Sequence, residues 1–114
     1  MKKILVAGIS LFLATTVSAS MVTGKSLPVR CNDISERLKI ISERQTNSNC
    51  NDNIMDSSFS IAGNLIMHND LSAAKEILDI GISGLKFAKE IGCKEISTIN
   101  WAINEGDQIK KAIS

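Results

Sequence analysis

Three cysteines and one histidine are the side chains of this 114-residue chain that could support covalent or metal chemistry. A thiolate beside a histidine can act as a nucleophile, and a zinc site needs about four nitrogen or sulfur ligands. The four residues are Cys31, Cys50, Cys93 and His68. They are far apart in the sequence, and no C-x-x-C pair or glycine-rich phosphate loop is present. The sequence therefore predicts no metal site, no cofactor, no catalytic residue and a protein that is not an enzyme.

His68 follows an apolar stretch that has the periodicity of a helix. A histidine at the carboxyl end of a helix is favoured there by the helix dipole, which makes a surface residue the preferred interpretation. A Cys–His nucleophile pair with one of the three cysteines remains an alternative, although no local motif accompanies it.

The N-terminus has the three-part pattern of a secretory signal peptide. Lys2 and Lys3 precede an apolar run from Ile4 to Val17, and Val17-Ser18-Ala19 supplies small or modest residues before a cut after Ala19. A membrane span needs about 20 apolar residues, and this run is shorter. We therefore expect residues 1–19 to be removed and the mature chain to carry no membrane span. The predicted location is the periplasm, with secretion as the alternative.

Export changes the interpretation of the cysteines and of the charge. All three cysteines follow Ala19, and an oxidising compartment favours one disulfide and one unpaired thiol. The chain after Ala19 carries eleven basic and twelve acidic side chains. Nucleic-acid binding requires a clustered positive surface, and this balance does not predict one.

The elements that must position these cysteines are helical. Apolar residues recur at i, i+4 and i+7, and no alternation of period two extends beyond about four positions. We predict an irregular lead-in over 20–32 and a helical domain over 33–114. The predicted helices span 33–47, from about 52 to 69, 71–91 and 95–113. Asp33 and Asp70 are the expected N-caps of the first and third of these helices. The expected fold class is all-α, a small antiparallel four-helix bundle with one disulfide.

Residues 61–81 resemble a single tetratricopeptide-type helical hairpin. Ala62, Leu65, Ala74, Leu78 and Gly81 occupy its small and large packing positions. The resemblance implies two closely packed antiparallel helices, and no function is carried over from it. Gly81 disfavours a helix by about 1 kcal/mol relative to alanine, so we expect it where a neighbouring helix comes close. A bend in the third predicted helix is the alternative.

The bundle order predicts that Cys50 pairs with Cys93. Cys31 and Cys50 flank the first predicted helix, which would hold them roughly 25–30 Å apart, whereas a disulfide needs Cα atoms within about 7 Å. Cys50 and Cys93 follow the first and third helices, whose ends lie together in an up-down-up-down bundle. Cys31 is then the unpaired cysteine, either free or available to a second chain. A Cys31–Cys93 pair is the chief alternative.

These features favour an exported binding protein whose partner is another periplasmic or envelope protein. One version is an immunity or inhibitor protein that blocks an imported cell-wall toxin, and another is an accessory subunit of a secretion or conjugation machine. A periplasmic stress chaperone of the acid type is the alternative. Neither the identity of the partner nor the oligomeric state follows from the sequence.

Overall fold

Helix caps and short polar connections divide residues 26–114 into five helices. A computed structural model describes residues 26–114, and within that range it contains no strand. The helices are α1 (Leu27–Glu43), α2 (Ser48–Asn53), α3 (Asp56–Met67), α4 (Leu71–Glu90) and α5 (Ile96–Ala112). The predicted signal peptide, residues 1–19, lies outside the described residues. No helix in the described range is long and apolar enough to cross a membrane.

The four long helices form the antiparallel bundle that the sequence predicts. Helix α1 packs against α3 and α5, and α4 packs against the same two helices. Successive long helices run in opposite directions: Gly63, near the end of α3, approaches Pro28, near the start of α1. The short helix α2 packs on α4.

The core is built from one apolar stripe of each long helix. The periodicity of α4 predicts a core face of Leu71, Ala74, Leu78, Ile82, Leu85 and Ala88; all of these are buried except Leu71, at the start of the helix, which is half-buried. The other buried apolar residues outside the cysteines are Ile34, Leu38, Ile41, Ile54, Phe59, Ala62, Ile99, Ala102 and Ile109. Such stripes supply most of the stability of helices in proteins, because short helices are only marginally stable alone.

The first helix begins earlier than predicted, so the irregular lead-in is wrong over residues 27–32. Ser26 is the N-cap, since its Oγ accepts a hydrogen bond from the N–H of Val29 at 3.4 Å. Pro28 fits this first turn, where its missing N–H would have no helical partner. Asp33 is therefore inside α1 and does not cap it, and Cys31 is a helical residue.

The polar segment around Cys50 also differs from the prediction, because it contains a short helix. Asn47 caps α2, with its Oδ1 accepting from the N–H of Asn49 at 2.9 Å. The second long helix consequently begins at Asp56, after the buried residue Ile54. The prediction that Asp70 caps the following helix is confirmed, since its carboxylate accepts from the N–H of Ala73 at 3.4 Å.

Gly81 lies in uninterrupted helix where α3 comes close, so the prediction of close packing is confirmed. A Cβ placed on Gly81 would lie 2.8 Å from Cε2 of Phe59. Gly106 of α5 approaches the other side of the same ring, where a Cβ would lie 3.3 Å from Cε1. The Phe59 ring therefore occupies the space that two glycines leave between α3, α4 and α5.

Candidate docking surface

Cys50 and Cys93, the two cysteines that were predicted to pair, lie at disulfide distance. Cys50 is on α2 and Cys93 follows α4; their sulfur atoms are 2.02 Å apart and their Cα atoms 5.8 Å apart. The competing partner Cys31 lies on α1 beside Gly63 of α3, towards the opposite end of the bundle.

Hydrogen bonds at the same end of the molecule connect the segment after α1 to the segment before α5. The side-chain amide of Gln45 donates to the carbonyl oxygen of Lys94 at 3.1 Å, and the N–H of Lys94 donates back to Oε1 of Gln45 at 3.0 Å. Arg44 pairs with Glu95 at 3.3 Å. This end therefore links the C-terminal end of α1 to the start of α5, which suits a structural role better than a reactive site.

Cys31 and His68 lie in different environments, since Cys31 is buried and His68 is exposed. Burial raises the pKa of the Cys31 thiol to about 12, while the neighbouring Arg30 guanidinium acts in the opposite direction. His68 is exposed at the end of α3, and its Nδ1 lies 2.8 Å from the carbonyl oxygen of Asn64 in the same helix. No group of three or more potential metal-ligating His, Cys, Asp or Glu side chains occurs among residues 26–114.

A buried ion pair, which sequence reasoning missed, connects α1 to α5. Nε of Arg30 donates to Oε2 of Glu105 at 2.8 Å, and Nη2 donates to Oε1 at 3.0 Å. The same Nη2 donates to Oε1 of Gln108 at 2.9 Å. Arg30 is only 1% exposed, and its buried Nη1 has no hydrogen-bond partner in the described chain. Hydrogen bonding to Glu105 raises the pKa of Arg30 above its ordinary value.

Two surface grooves differ in chemistry. The groove between α4 and α5 is lined by two lysines, a glutamate, two asparagines and one isoleucine, namely Lys86, Lys89, Glu90, Asn100, Asn104 and Ile103. The groove between α1 and α3 has a volume of about 470 Å³, and none of the described residues that line it is charged. Its lining comprises Pro28, Val29 and Asn32 of α1 with Ser60, Ile61, Gly63, Asn64 and Met67 of α3. We refer to this second site as the α1–α3 groove.

Exposed apolar side chains concentrate at the α1–α3 groove. Seven large hydrophobic side chains are exposed in the described part of the chain, and three of them line this groove. They are Val29 at 47%, Ile61 at 49% and Met67 at 70% exposure. Single exposed apolar residues are ordinary on protein surfaces, whereas contiguous apolar patches are the features that raise the question of a binding partner. Methionine also adapts its flexible side chain to different partners.

Gly63 sets the depth of the groove. A Cβ placed on it would lie 3.1 Å from Cβ of Cys31 and 3.2 Å from the carbonyl oxygen of Pro28. The backbones of α1 and α3 can therefore approach closely here, and the larger side chains stand on either side of the contact.

The sequence carried a weak signal for this surface. Ile61 lies beside the core stripe of α3, and Val29 falls in the segment predicted to be irregular, so periodicity alone assigned neither residue to a shared surface. The early start of α1 brings Val29 into the groove.

Comparison with known proteins gives no further assignment. No protein-family model matches the chain, and no curated protein and no solved structure matches it significantly.

Proposed function

We propose that this protein is an exported, non-enzymatic binding module of the periplasm whose α1–α3 groove docks another protein of the cell envelope. The clustering of Val29, Ile61 and Met67 around one uncharged groove carries the proposal. Burying such side chains in an interface contributes roughly 25 cal/mol for each Å² of apolar surface removed from water.

The signal-peptide pattern and the cysteine pair support the location. A disulfide persists in an oxidising compartment and is rare in the cytosol. Mass spectrometry of protein recovered from the cell envelope tests the export step, because the mature chain should begin at Ser20. A chain that still begins at Met1 would contradict it.

The partner class follows from location and size. A small, rigid protein that presents one preformed face can inhibit an imported cell-wall toxin. The same kind of protein can serve as an accessory subunit of a secretion or conjugation machine. The link between Cys50 and Cys93 supports a stably folded face, since a cross-link restricts the unfolded chain and so raises the free energy of unfolding.

A matched pair of isoleucines tests the docking surface. Ile61 lines the α1–α3 groove, Ile80 lies on α4, and both are 49% exposed. Proteins that co-purify from a periplasmic extract are identified, expressed separately, and titrated against the wild-type protein and each variant. We expect Ile61→Asp to weaken binding of the purified partner at least tenfold, because it places a charge in the interface. Ile80→Asp should leave binding unchanged. Equal effects of the two substitutions would reject the α1–α3 groove as the docking surface.

A periplasmic acid-stress chaperone is the second candidate, and the attachment of α5 favours it. Three ion pairs attach α5 to the other helices. Two of them join α5 itself to α1 and to α4, namely Arg30–Glu105 and Lys110–Asp79. The third joins the N-cap of α5 to the C-cap of α1, namely Arg44–Glu95. Every one of these pairs uses a carboxylate, and a protonated carboxyl group cannot form an ion pair. This candidate requires that loss of these pairs release α5 and expose its buried face, which carries Ile99, Ala102 and Ile109.

Client aggregation distinguishes the two candidates. A chaperone of this kind suppresses aggregation at low pH and not at neutral pH, whereas a docking module has no effect on unrelated clients at either pH. The same assay with Glu105→Gln reports whether the loss of one pair activates the protein at neutral pH.

A further inference from the structure

Three arginines on α1 contact α5 or its N-cap. They are seven positions apart in the sequence, which places them on nearly the same face of the helix. Each has a different partner, and the pairs are Arg44–Glu95, Arg37–Trp101 and Arg30–Glu105. The guanidinium of Arg37 lies 4.5 Å from the centre of the Trp101 ring, a cation–π contact. Cationic contacts therefore follow the whole seam between α1 and α5.

The first part of α5, residues 96–102, is anchored from outside the helix as well as from within it. Immediately before it, Gln45 and Lys94 exchange two hydrogen bonds. Within it, Ile99 and Ala102 are fully buried. The start of α5 is therefore held to the C-terminal end of α1 and to the core at the same time.

The second part of α5, residues 103–112, has a weaker attachment, and we call it the α5 arm. Its buried residues are Gly106 and Ile109. Glycine disfavours a helix relative to alanine, so Gly106 does not stabilise the arm locally. The pair between Lys110 and Asp79 is exposed, and exposed pairs contribute little in water. The arm therefore depends on its remaining polar contact, which is with α1.

That contact, between Arg30 and Glu105, has both a favourable and an unfavourable side. Two hydrogen bonds of 2.8 and 3.0 Å close it. However, the guanidinium is buried, and its Nη1 has no partner among the described residues. Burial removes the charges from water at a cost that their attraction only partly offsets, and an unpaired buried donor adds to that cost. Movement of the arm away from α1 would return the guanidinium to water.

The α5 arm covers apolar groups of the core. A Cβ placed on Gly106 would lie 3.1 Å from Cγ1 of Ile82 and 3.3 Å from Cε1 of Phe59, so the backbone of the arm packs directly on these side chains. The Cys31 thiol is also buried, and the charges of both members of the ion pair act on it. Opening of the arm would therefore expose an apolar face and bring water to the thiol.

We propose that the α5 arm is a hinged segment that opens while the rest of the bundle stays folded, with the Arg30–Glu105 pair as its latch and the anchored first part of α5 as its base. The open state exposes Phe59 and Ile82. This device does not involve the α1–α3 groove, so it goes beyond the proposed docking function.

Amide hydrogen exchange, followed by NMR in the mature protein at several low urea concentrations, tests the hinge. Local opening exposes little surface, so its free energy depends weakly on urea, whereas global unfolding follows the equilibrium m-value. We expect the weak dependence for the amides of residues 106–110. The amides of residues 100–102 and those of Leu78 and Leu85 should follow global unfolding. This measurement needs only the wild-type protein.

Two neutral substitutions at the ends of the seam test the latch. Glu105→Gln keeps the size of the side chain and removes the counter-ion of Arg30. It should accelerate exchange in the α5 arm about a hundredfold, which is about 3 kcal/mol at 1.4 kcal/mol for each factor of ten. Glu95→Gln is the matched control, because its partner Arg44 is exposed, and it should leave exchange in the arm unchanged.

The Cys31 thiol provides a second readout, because it distinguishes opening of the arm from fraying of the last turn. Its labelling by 4,4′-dithiodipyridine at neutral pH should accelerate in Glu105→Gln by about the same factor as amide exchange in the arm. Fraying of the chain end would leave the labelling rate unchanged, since the thiol is buried against α3 beside Gly63.

Three results would overturn the inference. The first is a urea dependence of exchange in the α5 arm that equals the dependence for global unfolding. The second is an equal effect of Glu105→Gln and Glu95→Gln on the arm. The third is accelerated exchange in Glu105→Gln with unchanged labelling of Cys31. None of these results bears on the comparison of Ile61→Asp with Ile80→Asp, so the hinge and the docking function can fail separately.

Discussion

Arg30 and Glu105 form a two-point ion pair between α1 and α5, although 75 positions separate them in the chain. The guanidinium is almost completely buried, whereas the carboxylate is 17% exposed. Gln108 accepts one more of the guanidinium hydrogens. Since Nη1 has no partner in the described residues, the charge of Arg30 depends on Glu105 for its compensation.

We expect Glu105→Gln to destabilise the protein by about 3 kcal/mol, because it leaves a buried cation without its counter-ion. Urea unfolding monitored by circular dichroism measures the change. Glu95→Gln is the matched control, since Arg44, its partner, is 60% exposed and surface pairs contribute only about 0–1 kcal/mol. Equal losses for the two variants would show that burial of Arg30 does not matter.

Gly81→Ala should lower the melting temperature even though alanine is the better helix former. The added methyl group would meet the Phe59 ring at 2.8 Å, and the ring is itself fully buried against Gly106. Overpacking of this kind costs about 1–3 kcal/mol, which exceeds the gain of about 1 kcal/mol in helix propensity. Ser83→Ala, at an exposed position of the same helix, is the control and should not lower the melting temperature. A higher melting temperature for Gly81→Ala would mean that the ring moves aside freely.

Peptide mapping of the unreduced protein should recover Cys50 linked to Cys93 and Cys31 as a free thiol. The link closes a loop across 43 positions. In the chain-entropy model it stabilises the fold by about 4 kcal/mol, which the double variant Cys50→Ser/Cys93→Ser should lose. An intrachain disulfide that contains Cys31 would contradict the arrangement of α1 as well as the pairing.

Cys31 should resist alkylation by iodoacetamide at pH 9 in the native protein and react once urea unfolds it. Its pKa of about 12 keeps the buried thiol protonated, whereas an unfolded thiol ionises near pH 8.5. The folded state then binds more protons than the unfolded state, so this residue contributes a loss of stability as the pH rises from about 9 towards 12. Cys31→Ala should show a smaller loss over that range. Rapid labelling of native wild-type protein, detected by mass spectrometry, would argue against burial of the thiol.

The helical class and bundle order could be predicted because they depend on local periodicity and on capping. The stripe from Ala74 to Ala88 and the cap at Asp70 are signals of this kind. The proximity of Cys50 and Cys93 also followed, because antiparallel helices bring alternate ends together. None of these inferences required knowledge of a side-chain contact.

What could not be predicted depends on exact starting points and on distant partners. Helix α1 begins at Leu27, six residues before the predicted start at residue 33, and that difference places Val29 and Asn32 on the wall of the α1–α3 groove. The ion pair of Arg30 could not be predicted because its partner, Glu105, is on the last helix, 75 positions away in the chain. A groove between two helices depends on the rotation of each helix, which periodicity fixes only approximately.

The disulfide-distance pair and the α1–α3 groove lie at opposite ends of the bundle, and this separation has a mechanical consequence. Around Cys50 and Cys93, the covalent link and the bonds between Gln45 and Lys94 hold the helices in a fixed relation. Neither of these links joins α1 to α3, whose backbones pack closely at the other end, near Pro28 and Gly63. Reduction of the Cys50–Cys93 pair should therefore loosen the end that carries α2 and leave the walls of the α1–α3 groove in place.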